Sequence, residues 1–279
     1  MKNDKTVERL GRVGGFVLDL DGTLVLGDRA LKSLRPLPGA VEFIEYLVGN
    51  RRPFLIMTNG TVHTPAELTA SLRRSGFPLS DVVVETPSSV AAQYFLRRGI
   101  RRVMVIGGEG VYGPIRDAGI EVLPPTGREA ADAVFVGWCR DCTVENIEAA
   151  VHAVESGATL YTASMSAHFA TAQGRVLGTS RIICAGITSI TGRRPKVLGK
   201  PSLEVLRGAT RRLGVAARDI AVVGDDPSLE MRMAHRGGAL GIWVGTGLSA
   251  EHADLPADQR AHLVLPGIAD LLGLMSGAA

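Results

Sequence analysis

FVLDLDGTLV, residues 16–25, runs from an apolar segment straight into two carboxylates, Asp19 and Asp21, set two positions apart. A short uninterrupted apolar run of this kind reads as a strand buried on both faces. Alternate residues of a strand point to one face, so both carboxylates can reach a single ligand. Outward from this stretch, further apolar runs at 53–59, 101–107, 131–137, 158–163, 219–225 and 239–245 read as buried strands. Amphipathic segments at 38–50, 64–76, 143–157 and 202–214 lie between them. Several of these begin at Thr, Ser or Pro and stop at Gly or Asn, the usual boundary residues of helices. The alternation predicts an α/β fold with a Rossmann-like, doubly wound parallel-sheet core.

The chain has 279 residues, enough for two domains. With 46% hydrophobic and 21% charged residues it has an ordinary globular composition. A net charge of +3, dispersed along the chain, gives no nucleic-acid footprint. The polar N-terminal MKNDKTVERL lacks an apolar signal core, and no apolar stretch is long enough to span a bilayer, so a cytoplasmic location away from membranes is expected. Three cysteines, an odd number, fit a reducing compartment better than a disulfide framework.

In open α/β sheets ligands bind beyond the carboxyl ends of the strands. Those ends carry Asp19, Asp21, Gly22 and Thr23; Thr58, Asn59 and Gly60; and Gly224, Asp225 and Asp226. VLGKPS places Lys200 just before a predicted helix. Three buried carboxylates are costly unless a cation holds them. Oxygen ligands with no His or Cys beside them point to Mg²⁺, which uses one or two carboxylates, water and substrate phosphate. Mg²⁺, Lys200, a hydroxyl and the amides of the Asp21–Thr23 turn together suit a transferring phosphoryl group. One Asp can attack phosphorus while the other protonates the leaving oxygen and later activates water. A DGT turn can also arise from turn geometry alone, but TNG, GKPS and GDD follow it in order at element ends. The chain has 26 Arg and only five Lys, which favours a specific need for a compact charge at Lys200.

These residues resemble the haloacid dehalogenase superfamily of phosphohydrolases: DxDGT at Asp19–Thr23, Thr-Asn at Thr58–Asn59, the motif lysine at Lys200 and the acidic GD pair at Gly224–Asp225. PLPGAVEFIEYL, IMTNG, ADAVFVG and GKPS are similar to its class IIA branch of small-metabolite phosphatases. The resemblance implies Asp19 as nucleophile and Asp21 as general acid/base, with Gly22, Thr58, Asn59, Gly60 and Lys200 around the phosphate. Asp19, the backbone carbonyl of Asp21, and Asp225 would hold Mg²⁺. Where the family has a Thr-Asp pair this chain has Leu229 and Glu230, making Asp226 and Glu230 candidates for the outer metal shell. About 35 residues separate the first two motifs, room for one crossover, whereas about 140 separate Asn59 from Lys200, the size of a domain. The expected organisation is therefore a core at 1–85 and 192–279 with an α/β cap inserted at 86–191. Closure of that cap would exclude water and bring in specificity residues. Arg140, His168 and Arg175, in or beside the divergent segments 138–143 and 162–174, are the candidate cap contacts to a small phosphorylated metabolite. The cap is also the candidate surface for a homodimer.

Three rival readings stand beside this one. Cys139-Arg140-Asp141-Cys142 is a CxxC that alone suggests a dithiol redox site, with no second pair to complete a zinc site. GEGVYG at 108–113 matches a dinucleotide-binding GxGxxG, although Asp132 begins the next strand where a ribose-binding acid should end one. A noncatalytic phosphate-ligand-binding module is the third, if Glu230 cripples the metal site.

Overall fold

The computed structural model describes residues 2–27, 34–81, 83–171, 174–247 and 255–277. The opening stretch becomes the strand Gly15–Asp19, every residue of it buried. It lies inside a six-stranded parallel sheet in the order Leu263–Leu265, Leu240–Val244, Ile220–Gly224, Gly15–Asp19, Phe54–Met57, Val84–Glu85. Phe16 is in register with Ala221 on one side and Phe54 on the other. From Gly15–Asp19 the chain adds strands outward in one direction, and from Ile220–Gly224 in the other. Their boundary is the topological switch point at which α/β sheets bind ligands.

Period-two alternation distributes the apolar side chains. Phe16 and Leu18 pack with Phe43, Ile44 and Leu271 in one layer, while Val17 packs with Leu55, Val205, Leu206 and Val222 in the other. Asp19 shares the face of Val17, which the helix Leu203–Leu213 covers. Lys200 lies just upstream of that helix, so alternation alone brings it to the side of the sheet where Asp19 projects.

A second parallel sheet runs Lys196–Val197, Thr159–Thr162, Ala133–Val136, Arg102–Ile106, Glu121–Leu123. Pro87–Arg98 and Glu109–Asp117 cover one face through Ala91, Phe95, Val111 and Ile115. Val144–Glu155 and Thr179–Thr191 cover the other through Ala150, Val154, Ile183 and Ile187. Helix boundaries follow capping chemistry. Thr64, Thr86 and Thr143 each close a capping box, and Gly214 ends Leu203–Leu213 in the left-handed region at φ 68°. Among the described residues no helix is long and apolar enough to cross a membrane.

Candidate active site

Two adjacent strand ends deliver the acidic cluster, and a third, after Phe54–Met57, brings Thr58 and Asn59 to it. Lys200 Nζ donates to Asp19 Oδ1, and Thr23 Oγ1 donates to Asp19 Oδ2 at 3.0 Å. Both oxygens of Asp19 are thereby fixed, and the carboxylate has one orientation. Lys200 Nζ also meets Glu230 Oε1 at 2.7 Å, with Lys200 only 3% and Glu230 1% exposed. Burial alone would lower the lysine's pKa, but Asp19 and Glu230 outweigh it and hold the ammonium well above its usual value. Burial pushes Glu230 up to about 7, against the pull of Lys200.

Asp21 is in a different state. Its Oδ2 accepts from Thr58 Oγ1 at 2.9 Å, while its Oδ1 is buried and has no partner among the described residues. Burial first, and the negative charge of Asp19 second, raise its pKa to about 6. Two carboxylates two residues apart are thus separated in role by environment: Asp19 is paired with the Lys200 ammonium, and Asp21, with its raised pKa, is poised to carry a proton.

Asp21→Asn tests this in chelator-treated protein. A carboxyl whose pKa rises from 3.8 to about 6 on folding contributes stability below its unfolded pKa and loses it as pH rises through 6. Asparagine has no such loss, so the variant should gain on the parent between pH 4 and 7, by on the order of 3 kcal/mol. Urea midpoints at several pH values read the difference; a pH-independent gap would exclude the raised pKa.

Asp225, beyond Ile220–Gly224, packs its carboxylate against two glycines. Gly22 has φ +88°, and a Cβ there would lie 2.5 Å from Asp225 Oδ2; a Cβ on Gly247 would overlap the same oxygen. Thr246 Oγ1 donates to the Gly22 carbonyl at 2.6 Å, and Trp243 Nε1 to the Asp225 carbonyl at 2.9 Å. The strand end GIWVGTG thus supports the acidic corner, a contribution the sequence reading missed. Its signal was a strand ending in Gly-Thr-Gly next to the GDD strand.

Several expected contacts take another form. The Gly22 N–H, expected to face phosphate, donates to Val25 O at 2.8 Å, because the DGT segment closes on itself. Asn59 exchanges two hydrogen bonds with the backbone of Lys200, Nδ2 to O at 3.0 Å and Oδ1 from N at 2.8 Å. It fixes the lysine and keeps one amide hydrogen for another partner. The Gly60 N–H donates to Thr58 Oγ1 at 2.8 Å. Glu230 pairs with Lys200, and its Oε2 accepts the Asp226 N–H at 3.1 Å. A single π-helical turn, Pro227–Met231, folds it back over Gly224, where any Cβ would overlap it. Asp226 caps that turn by accepting from Ser228 N and Oγ at 2.8 and 2.6 Å. Both oxygens of Glu230 and one oxygen of Asp226 thus have protein partners.

Among the described residues no three His, Cys, Asp or Glu side chains converge as a ready-made metal cage. Oxygen donors from Asp19, Asp225 and the Asp21 carbonyl nonetheless fit Mg²⁺, which needs few protein carboxylates and retains water. Buried acidic groups outnumbering their one ammonium are the observation that calls for a further cation.

Of the cap candidates, Arg140 and His168 are exposed, with no hydrogen bond or ion pair to the core motifs among the described residues. The side chain of Arg175 and residues 172–173 lie outside the described residues. The second sheet touches the core site elsewhere: Trp138 N–H donates to Thr61 Oγ1 at 2.9 Å. Gly110 approaches the backbone of Thr61–His63 so closely that a Cβ would lie 2.5 Å from Thr61 O. That packing occupies the helix start where the GxGxxG reading needs a pyrophosphate, and Asp132 instead accepts the N–H groups of Arg101 and Arg102. Cys139 and Cys142 are free thiols whose pKa values burial raises, Cys142 to about 11, the opposite of a reactive dithiol.

Residues 16–121 match the family model of haloacid dehalogenase-like hydrolases, and 197–271 match a second, HAD-hydrolase-like model. The chain is similar to the acid sugar phosphatase of Staphylococcus epidermidis, 28% identical over 235 residues that span 84% of this chain and 87% of that protein. It is 26% identical to the dihydroxyacetone phosphatase of Corynebacterium glutamicum over 258 residues, 92% of this chain and 90% of that one. The crystal structure of a 4-nitrophenylphosphatase from Thermotoga maritima superposes with a TM-score of 0.85 at 25% identity, covering 96% of this chain and 99% of that one.

Proposed function

We propose, for a chain that belongs to the class IIA branch of the haloacid dehalogenase superfamily and is a phosphoric monoester hydrolase, a Mg²⁺-dependent hydrolysis of a small phosphorylated metabolite through an aspartyl-phosphate on Asp19. The observation that carries it is the pairing of a carboxylate fixed by Lys200 and Thr23 with a second carboxyl whose pKa is raised to about 6. Asp19 Oδ attacks phosphorus and the bond to the leaving oxygen breaks. Protonated Asp21 gives that oxygen its proton. The resulting Asp21 carboxylate then takes a proton from the water that attacks the aspartyl-phosphate, which releases inorganic phosphate and regenerates Asp19. Lys200 remains charged throughout and offsets negative charge on the phosphoryl oxygens. Thr58 keeps Asp21 in place, and Asn59 fixes the backbone from which Lys200 projects.

Asp19, the Asp21 carbonyl and Asp225 would hold Mg²⁺, which supplies Lewis-acid stabilisation of the transferring phosphoryl oxygens. The segment 86–191 is the proposed cap, its helix Glu109–Asp117 and Trp138 resting on the Thr61–His63 loop. Sugar and triose phosphates, named in two relatives, are the first substrates to test. Phosphate release from such a panel should vanish in excess chelator and return with Mg²⁺, and Asp225→Ala should need far more metal for half-maximal rate. Undiminished turnover in chelator would exclude the metal.

A further inference from the structure

An open, charged concavity of about 470 Å³ lies where the two sheets join. Tyr94 and Tyr161, 9% and 4% exposed, pack edge to face on its wall with ring centroids 5.7 Å apart. Arg98 Cζ stands 5.4 Å from the Tyr94 centroid and Lys196 Nζ 5.7 Å from that of Tyr161. A ring face orients a cation without neutralising it. Arg207 and Arg236, from Leu203–Leu213 and Arg232–Gly237, complete the basic lining, and all four cations are exposed. Glu204, the carboxylate in the lining, is already shared between Arg97 and Arg207 at 2.9 and 2.5 Å. Among the described residues none of Arg98, Lys196 and Arg236 has a carboxylate within ion-pair distance. Three uncompensated cations around one concavity, in a chain of net charge only +3, make a site for an anion of matching charge.

We propose that this cavity binds a small polyanion of two or three linked phosphoryl groups, bridging Arg98 and Lys196 on the second sheet's side to Arg236 and Arg207 on the first's. A single phosphoryl group offers too little charge for four cations contributed by four separate elements, whereas a linked pair or triplet can meet several of them, and the volume suits a ligand of that size. The site is separate from the Asp19 centre but borders it. Leu198, Pro201 and Ser202 line the cavity, and Lys200 lies between them in the chain. Leu198 and Gly199 donate to Thr162 O and Ala163 O at 2.9 and 3.1 Å, after which Lys200 crosses to Asn59. A polyanion clamped across the cavity therefore tethers the connection that carries Lys200.

Calorimetric titration of chelator-treated protein with inorganic tripolyphosphate, and in parallel with ATP, tests the site. Arg98→Gln with Arg236→Gln should weaken binding by about tenfold per arginine removed, as expected for charge-assisted hydrogen bonds. Lys196→Gln alone, a single exposed substitution, should weaken it several-fold. Thr58→Val, in the Asp19 centre, should leave it unchanged. Amide exchange at 198–202 should slow on binding. Equal affinity for both polyphosphates assigns recognition to the phosphoryl chain; tighter ATP binding adds a contact to the nucleoside, and both support the site. Undiminished binding by the arginine double variant, loss of binding in Thr58→Val, or no binding at millimolar ligand in low salt would each overturn it.

Discussion

Asp19→Asn is expected to lower kcat by on the order of 10⁵-fold and to abolish the acid-stable, alkali-labile phosphoenzyme that rapid quenching should trap from the parent protein. The loss is large because the amide cannot attack phosphorus, while the rest of the site stays assembled: Lys200 keeps Glu230, and Thr58 keeps Asp21. Asp21→Asn should behave differently. It leaves the proposed nucleophile in place and removes the proposed proton donor, a loss of about 10²–10⁴-fold. That loss in single-turnover phosphorylation should shrink for aryl phosphates, whose leaving oxygen needs little protonation. Equal losses on alkyl and aryl esters would assign Asp21 some other part. A trapped phosphoenzyme in Asp19→Asn would move the nucleophile elsewhere.

The fold was legible where a strand is long enough to show its run. The central strands announce themselves because both faces are buried, so every position is apolar until the functional end. Val84–Glu85, Glu121–Leu123, Lys196–Val197 and Leu263–Leu265 do not read as strands in the sequence, because two or three residues carry no period and their pairing is decided by the neighbouring sheet. The hairpin of Val25–Gly27 with Leu34–Pro36 was missed for the same reason. At the site, the identity of the acidic residues was readable but their partners were not. Glu230 follows Asp225 by five positions, and an ordinary helical turn would not show that it reaches Lys200; the π-helical turn and the bare Cα of Gly224 decide that. Asn59 likewise reads as a ligand-binding amide in sequence, whereas its hydrogen bonds run to a backbone 141 residues away. The cap residues were least legible. Arg140 and His168 are exposed and make no side-chain hydrogen bond or ion pair with the core motifs among the described residues, whereas the Trp138–Thr61 and Gly110–Thr61 contacts each involve a backbone group, which side-chain identity does not reveal.

The arrangement around Lys200 makes a prediction in which stability and catalysis separate. Lys200→Met leaves Asp19 and Glu230 as buried carboxylates without their shared cation, and removing one partner from a buried ion pair costs about 3–5 kcal/mol. Part of that cost is avoidable, because Glu230, already raised to about 7 by burial and relieved only by Lys200, can take a proton instead. With Lys200 gone its folded pKa climbs further. A group with a raised folded pKa contributes stability at low pH and loses it as pH rises through that value, so the variant's deficit should be small near pH 5 and largest above pH 8. Adding Glu230→Gln removes one of the two stranded charges, and the double variant should recover much of the lost stability with a flatter pH dependence. It should recover no activity. The ammonium proposed to offset charge on the phosphoryl oxygens is still missing, and kcat should remain down by at least about 10²–10³-fold, the scale of losing one electrostatic stabiliser of a transition state. Chelator-treated urea denaturation across pH, set beside single-turnover rates in Mg²⁺, measures both. If Lys200→Met were as stable as the parent at pH 8, the three-way pairing would not be what holds this corner together; if Glu230→Gln restored turnover to it, Lys200 would be a structural counter-ion and not part of the chemistry.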